Sequence, residues 1–319
     1  MSVIQTHDLR RTFQTCGGAV EAVKGVDLCV DAGEVFGFLG PNGAGKTTTL
    51  RMLSTLLPPT GGEASVVGCD LRREPRKVRE RIGYVGQRNG SDPGITARRE
   101  LEFQARLYGA SAAEARKRTS ELLGVLELDS CADRPSSTYS GGQRRRLDIG
   151  IGLIHSPKLL FLDEPTTGLD PQGRARLWNE IRRLKASGMT VFLTTHYLEE
   201  ADALCDRLAI IDHGRIVAEG TPEQLKRDIA GDVISLGVAA DLERALAVLE
   251  GEPYVRKAAI EGDGLRLYVD RGESAMPSVL RLLDGSGFEL QTIALSRPSL
   301  DDVFLQQTGH SLRETEVAA

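Results

Sequence analysis

Residues 40–48 read Gly40-Pro41-Asn42-Gly43-Ala44-Gly45-Lys46-Thr47-Thr48. A nearly continuous apolar run, Glu34 to Leu39, precedes them, as a strand buried on both faces requires. We expect a helix to follow, from Lys46 to about Leu57, before the prolines that begin at Pro58. A glycine-rich loop between a strand and a helix surrounds phosphate oxygens with backbone N–H groups and the positive end of the helix dipole. The segment therefore predicts a phosphate-binding loop rather than an ordinary glycine-rich turn.

Within this loop, two side chains carry specific chemistry. Lys46 supplies a mobile positive charge for the outer phosphates, and the Thr47 hydroxyl is suited to Mg²⁺.

A second buried run, Leu159 to Leu162, ends in the carboxylate pair Asp163 and Glu164. Ligands of open α/β sheets bind at the carboxyl ends of the strands. Asp163 is placed to hold magnesium, directly or through water, whereas Glu164 faces another direction and can polarise an attacking water. The alternative is a polar strand end followed by a proline turn. Together with the phosphate loop, the pair predicts a nucleotide hydrolase.

The composition is that of a soluble globular protein. The 319 residues are 40% hydrophobic and 27% charged, with a net charge of −5. This balance disfavours nucleic acid as a partner. The five cysteines are scattered without the spacing of a zinc site or a disulfide framework, which favours a reducing cytosol. Because no run approaches the ~20 apolar residues of a membrane span, we expect any membrane role to depend on a partner.

The order of predicted elements indicates an α/β fold. Two early strands, Val3 to Leu9 and Val20 to Val30, predict an antiparallel edge. Residues 96–128 predict helices, the second opened by Ser111 and Glu114 spaced as a capping box. Strands and helices then alternate, including a helix from Pro171 to Ala186 capped by Asp170. The alternation predicts a mainly parallel sheet with an antiparallel edge and a helical insert.

The last third of the chain predicts a separate unit. Beyond Gly231 the pattern reads strand, helix, strand, strand, helix, strand, which is the order of a small α+β ferredoxin-like domain. Ser299 caps a final helix, Leu300 to Gln307.

A short segment resembles a known family. Tyr139-Ser140-Gly141-Gly142-Gln143 is similar to the Leu-Ser-Gly-Gly-Gln signature of ATP-binding-cassette (ABC) ATPases. At a helix start, the Ser140 hydroxyl and the glycine N–H groups form a second anion site. The resemblance implies a P-loop ABC cassette over residues 1–228 with its helical insert at about 88–135. An accessory domain over 229–310 and a tail over 311–319 complete the expected chain.

The resemblance also implies the roles of the site residues. ATP and Mg²⁺ are the expected ligands. The residues implied are, for ATP, Phe13, Gly40, Pro41, Asn42, Gly43, Ala44, Gly45, Lys46, Thr47, Thr48, Gln87, Asp163 and His196; for catalysis, Lys46, Gln87, Glu164 and His196; for magnesium, Thr47, Gln87 and Asp163; for ATP of the neighbouring subunit, Ser140, Gly141, Gly142 and Gln143; and for signalling across the dimer, Asp170.

Two of these interpretations compete with simpler ones. Phe13 is expected to stack on adenine, although an aromatic residue near a terminus is commonly a packing residue. Likewise, an isolated histidine at a strand end is commonly a surface residue, and the preceding motifs favour a site role for His196. The basic run Arg144 to Arg146 predicts a solvated face or a dimer and phosphate-field contribution rather than a nucleic-acid patch.

Further segments resemble the daunorubicin/doxorubicin-resistance ATP-binding subunits. They are Phe36 to Leu39, Tyr139 in place of the signature leucine, and Leu295 to Leu305 with Thr308 to His310. The resemblance implies a subunit that powers drug efflux as a homodimer of cassettes, bound to separate transmembrane permease subunits at the cytoplasmic face of the membrane. The alternative is a soluble ABC ATPase acting on DNA or ribosomes, and an importer ATPase is a third reading that the tail disfavours.

Overall fold

The computed structural model describes residues 1–87, 90–228, 232–238, 241–296 and 298–309. The chain forms two compact units, of which one ends at Thr221 and the other begins at Pro222.

The first unit contains both sheets that surround the predicted phosphate loop. Its elements are, in chain order, β1 (Ser2–Thr15), β2 (Gly18–Asp31), β3 (Val35–Leu39), α1 (Lys46–Leu53), β4 (Gly61–Val66), β5 (Cys69–Asp70), α2 (Pro75–Arg79), β6 (Ile82–Val85), α3 (Ala97–Leu107), α4 (Ala112–Val125), α5 (Gly141–Leu153), β7 (Leu159–Asp163), α6 (Pro171–Ala186), β8 (Thr190–Thr195), α7 (Leu198–Leu204), β9 (Arg207–Asp212) and β10 (Arg215–Gly220).

The central sheet has the strand order β10-β9-β3-β8-β7-β6 and is parallel except for its β9–β10 hairpin. A second sheet, with the order β2-β1-β4-β5, is antiparallel throughout. The predicted α/β class, with a mainly parallel sheet and antiparallel strands beside it, is confirmed. Parallel order places the carboxyl ends of β3, β6, β7 and β8 at one edge, which positions the site described below.

A cluster of phenylalanines locks the centre of this sheet. Phe36, Phe38 and Phe161 surround Phe192 with ring centroids 5.6–5.8 Å apart, and all four side chains are fully buried. Offset and edge-to-face aromatic pairs of this kind add to the burial of apolar area. The strands that carry the polar site residues are therefore packed tightly against one another through their buried side chains.

Two bounds differ from the sequence-based expectation. Helix α1 ends at Leu53 rather than near Leu57, because Thr55 adopts a left-handed backbone with φ of 64° that ends the helix ahead of the prolines. Strands β1 and β2 are longer than expected, because they pair as a hairpin from Ser2 opposite Asp31 to Thr15 opposite Gly18. The Asp170 cap occurs as predicted, since its side chain accepts the Gly173 N–H at 3.0 Å.

The second unit has a core of its own. Its elements are α8 (Pro222–Asp228), β11 (Asp232–Val238), α9 (Leu242–Glu250), β12 (Val255–Glu261), β13 (Gly264–Val269), α10 (Gly272–Gly285), β14 (Leu290–Ser296) and α11 (Leu300–Thr308). The antiparallel strand order β12-β13-β11-β14 is that of a ferredoxin-like unit, which confirms the prediction. Ser299 caps α11 in a capping box with Asp302.

The boundary between the units lies at residue 221, earlier than the expected boundary at 228. The reason is that α8 packs against α11 and so belongs to the second unit.

Candidate active site

The predicted site residues of the first unit follow neighbouring strands. The phosphate loop follows β3, Asp163 and Glu164 end β7, and His196 follows β8. Because these strands are adjacent and parallel, the topology brings the three segments together at one sheet edge.

The backbone of the phosphate loop is fixed by close packing. Gly43 and Gly45 have φ of 82° and 107°, in the region that favours glycine. A Cβ atom at Gly45 would lie 2.6 Å from the Ala22 carbonyl oxygen of β2. Ala44 is held as well, because its carbonyl accepts the Gly214 N–H at 3.0 Å. The loop therefore presents its N–H groups in a preformed shape.

The Lys46 side chain lies inside the loop. Its ammonium group donates to the carbonyl oxygens of Gly40 at 2.7 Å and Pro41 at 3.0 Å. The same nitrogen lies 3.4 Å from Glu164 Oε1, and both side chains are buried. The positive charge is thus held between the loop and the carboxylate pair.

Asp163 forms the centre of a small oxygen cluster. Its Oδ1 accepts hydrogen bonds from the hydroxyls of Thr47 at 2.9 Å and Thr194 at 2.8 Å. Burial raises the pKa of the Asp163 carboxyl, and the two hydroxyl donors partly oppose this shift. A carboxylate and a hydroxyl side by side are hard oxygen donors. They fit Mg²⁺, which is commonly held by one or two protein oxygens together with substrate phosphates.

Glu164 is oriented away from Asp163 by its backbone. Its φ is 46°, unusual for a residue other than glycine, and its N–H donates to Thr194 Oγ1 at 3.0 Å. Glu164 Oε2 lies 3.3 Å from His196 Nδ1, and the Thr167 hydroxyl donates to the same oxygen at 3.3 Å. The two carboxylates therefore have different surroundings. Asp163 contacts the hydroxyls of two threonines, and Glu164 lies beside Lys46 and His196.

The charges around Glu164 favour its ionised form. Burial acts to raise its pKa, but the neighbouring His196 imidazole and the positive charge of Lys46 together lower the pKa below its usual value. The pKa of neighbouring Asp163 is shifted in the opposite direction. An ionised carboxylate at neutral pH can accept a proton from water.

The signature residues form a separate surface. Ser140 caps α5 in a capping box with Gln143, whose N–H donates to Ser140 Oγ at 3.2 Å. Together with Asp170 and Gly173, these residues line a cavity of about 490 Å³. The structure therefore brings the signature loop together with Asp170, on elements other than those that carry Lys46.

Arg145 corrects the interpretation of the basic run. The side chain is 5% exposed, so it forms no solvated face. Its guanidinium donates to the backbone carbonyls of Gly86, Asp163 and Pro165. The expectation of a solvated face was wrong at Arg145 because α5 packs against β6, a placement that the sequence does not reveal. The contribution of the basic run to the dimer or to the phosphate field stays a prediction.

Two predicted residues lie at the border of the site. Gln87 follows β6 at the same sheet edge as Asp163, and its side chain is exposed. Phe13 on β1 is half-buried, and the Arg11 guanidinium carbon lies 4.6 Å from its ring centroid. Their contacts with ATP and Mg²⁺ stay predictions.

Sequence reasoning missed two further residues. Thr194 was noted only as a strand end, yet it binds Asp163 and the Glu164 backbone. Glu200 on α7 is fully buried and accepts a hydrogen bond from Trp178 Nε1 at 3.2 Å. A charged residue at a buried position of a short helix was the available signal for Glu200. Thr194 required knowledge that β8 lies beside β7.

Known proteins resemble this chain over both units. Residues 23–167 match the ABC transporter family, and residues 220–308 match the C-terminal domain of ATP-binding proteins similar to DrrA1-3.

Two curated relatives and one solved structure are representative. The daunorubicin resistance ATP-binding protein DrrA2 of Streptomyces coeruleorubidus is 46% identical, with 94% of each chain covered. The daunorubicin/doxorubicin resistance ATP-binding protein DrrA of Streptomyces peucetius is 45% identical, covering 97% of this chain and 96% of its own. A dimeric ATP-binding cassette in a post-hydrolysis state with ADP and Pi is 28% identical with a TM-score of 0.63, covering 68% of this chain and 98% of its own.

Proposed function

The chain belongs to the ABC transporter family of ATP-binding subunits, and on that premise we propose that it hydrolyses Mg·ATP to power an exporter of drug-like compounds. One observation carries the reaction: Glu164 lies 3.4 Å from Lys46 and 3.3 Å from His196, beside a phosphate loop of fixed shape.

The cargo class is supported by the relatives. Two of them are ATP-binding proteins of daunorubicin or doxorubicin resistance, and the resemblance extends through the second unit. Hydrophobic, antibiotic-like molecules are therefore the proposed cargo. The soluble alternative, an ATPase of DNA or ribosomes, gains no support from these relatives.

In the proposed reaction, the phosphate loop binds the triphosphate and Lys46 neutralises its outer oxygens. Glu164, ionised because of its neighbours, accepts hydrogen bonds from the attacking water and takes up its proton. His196 holds the carboxylate at 3.3 Å and orders the same water. Thr194 fixes both carboxylate residues, since it binds the Asp163 side chain and the Glu164 backbone.

The residues proposed to hold Mg²⁺ are Thr47 and Asp163, with Gln87 from the neighbouring loop. When bound, magnesium neutralises the charge that develops on the phosphate oxygens.

We propose that two copies complete the site. A head-to-tail dimer would place the Ser140 loop of one subunit against the triphosphate held by the Lys46 loop of the other. The exposed N-terminus of α5, where Ser140 and the following glycines lie, supports this arrangement, because helix N-termini favour phosphate. Asp170 lines the same cavity as Ser140, in keeping with a signalling role between subunits.

Separate permease subunits are the proposed membrane partners, with the cassettes at the cytoplasmic face. Among the residues that the structure describes, no helix is both long and apolar enough to traverse a bilayer. The proposed transport path therefore belongs to the permease.

The proposal is tested by Glu164→Gln in the complex of cassette and permease. We expect ATP turnover to fall by at least about 100-fold, because the amide cannot accept the proton of water. ATP binding should persist, and the Glu164→Gln chain without permease should form ATP-dependent closed dimers on size-exclusion chromatography.

Glu63→Gln is the matched control, since Glu63 is an exposed residue of β4 outside the site. Its turnover should equal that of the wild type. Steady-state turnover near the wild-type level in Glu164→Gln would contradict the assignment of the general base.

A further inference from the structure

Arg145 connects three segments of the first unit through one buried guanidinium. It donates to the carbonyl oxygens of Gly86 at 2.6 Å, Pro165 at 2.8 Å and Asp163 at 3.3 Å. A buried guanidinium is costly unless its N–H groups are satisfied, and its planar fan can reach several acceptors at once. The contacts therefore fix Arg145 relative to all three carbonyls.

Two of these carbonyls flank the proposed general base. Asp163 and Pro165 are the residues immediately before and after Glu164. Holding both carbonyls restrains the peptide units on either side of Glu164, whose left-handed backbone, with φ of 46°, aims its side chain at His196. A displacement of the carboxylate by about 1 Å is enough to slow proton transfer by about 100-fold.

The third carbonyl belongs to the segment that carries Gln87. Asp148, one turn after Arg145 on α5, accepts the N–H groups of Gly90 and Ser91, both at 3.0 Å. Arg145 and Asp148 therefore hold this segment on both sides of Gln87, at residue 86 and at residues 90–91. Both anchors lie on the helix that Ser140 caps.

We propose that Arg145 is a positioning residue through which the signature helix α5 aligns Glu164 and the Gln87 segment of the same subunit. This inference rests on the proposed function. When the partner's ATP binds the Ser140 loop, it displaces the N-terminus of α5. Arg145 transfers this displacement to Glu164 of its own subunit. Each subunit's hydrolysis is thereby accelerated by the nucleotide bound across the interface.

The test compares steady-state ATP turnover of Arg145→Gln with that of the wild type in the complex of cassette and permease. We expect kcat to fall by about 10- to 100-fold, because Glu164 loses the restraint on both neighbouring peptides. KM for ATP should change by less than about threefold, since the three hydrogen bonds of Arg145 go to backbone carbonyls outside the phosphate loop. Arg145→Lys should retain intermediate turnover, because an ammonium group can reach some but not all of the three carbonyls.

A second measurement does not depend on turnover. In the Glu164→Gln background, Arg145→Gln should change the ATP concentration for half-maximal dimer formation by less than about twofold relative to Glu164→Gln alone. The reason is that Ser140 is held by its own capping box with Gln143. Arg182→Gln is the matched control. Arg182 on α6 is exposed and donates to the Asn179 side chain and the Ala203 carbonyl, both outside the site. Its turnover should match the wild type.

The possible failures are distinguishable. If Glu164→Gln hydrolyses ATP normally, the proposed function falls. If Glu164→Gln is inactive while Arg145→Gln turns over like Arg182→Gln, the proposed function stands and the positioning role of Arg145 is overturned. A combined loss of thermal stability, ATP binding and dimer formation in Arg145→Gln would overturn it as well, because the residue would then be merely structural.

Discussion

Glu200 is a single residue whose burial has a measurable consequence. Burial raises the pKa of its carboxyl, and the neighbouring polar groups of Thr195, Thr166 and Trp178 oppose the shift only in part. Because the folded-state pKa exceeds the unfolded value of about 4.3, the wild type gains stability as the pH falls through the folded-state pKa. Conversely, that stability is lost as the pH rises.

We therefore expect Glu200→Gln, which is neutral at every pH, to differ from the wild type in a pH-dependent way. The unfolding midpoint of the wild type minus that of the variant should become more positive as the pH falls from neutral toward the unfolded-state pKa of about 4.3, by about 2–4 °C for each kcal/mol of linkage. Thermal unfolding at several pH values checks this, with Glu199→Gln as the control for losing a carboxylate on the same helix. A difference that shrinks on acidification would contradict the raised pKa.

The residues differ in how much of their role the sequence could predict. Lys46, Asp163 and Glu164 could be assigned because each lies within a short contiguous motif that ends a buried strand. Arg145 could not, since its partners are backbone carbonyls from two distant segments. Contacts to backbone leave no pattern of residue types, and only the packing of α5 creates them.

Among the elements, the phosphate loop makes the sharpest prediction. At Gly45→Ala, the left-handed φ of 107° strains the alanine, and its Cβ would meet the Ala22 carbonyl at 2.6 Å. We expect the loop to shift and ATP affinity to fall by at least about tenfold, because backbone N–H groups lose their aim at the phosphates. Equilibrium binding of Mg·ATP measures the loss.

Gly188→Ala is the matched control for backbone strain. Gly188 has a similar φ of 87°, but no atom lies within 4 Å of the position of its Cβ. It should therefore cost about 1 kcal/mol of stability and leave ATP affinity unchanged. Equal ATP affinity in the two variants would show that the close approach to Ala22 is unimportant.

Element types were more predictable than element ends. The ferredoxin-like order of the second unit followed from alternating patterns, each long enough to identify a strand or a helix. By contrast, the early end of α1 depends on the left-handed backbone of Thr55, and the assignment of α8 to the second unit depends on its packing against α11. Local patterns carry neither piece of information.

At the scale of the whole molecule, the proposed dimer has two composite sites related by symmetry. A Lys46→Ala homodimer and a Ser140→Arg homodimer each lack a complete site. In a mixed dimer, one site carries both defects and the other carries none. Coexpression of the two variants with the permease should therefore restore measurable turnover, at most roughly a quarter of the wild-type value, because about half of the dimers are mixed and each has one complete site.

Measurement of ATPase activity in the separate and combined preparations checks this prediction. Wild-type chain coexpressed with Lys46→Ala is the control for subunit exchange. Complementation that is absent while exchange is demonstrated would mean that each subunit completes its site alone.

The contacts of Lys46 have a consequence for the proposed binding of the triphosphate. Its ammonium already has three oxygen neighbours within the chain, the carbonyls of Gly40 and Pro41 and the carboxylate of Glu164. A triphosphate must therefore replace existing hydrogen bonds of the ammonium group. The free energy of its binding to Lys46 is the difference between the new and the replaced contacts. On the proposed function, a lysine that turns toward the nucleotide also loosens its contact with Glu164, so we expect phosphate binding and exposure of the base to water to occur together.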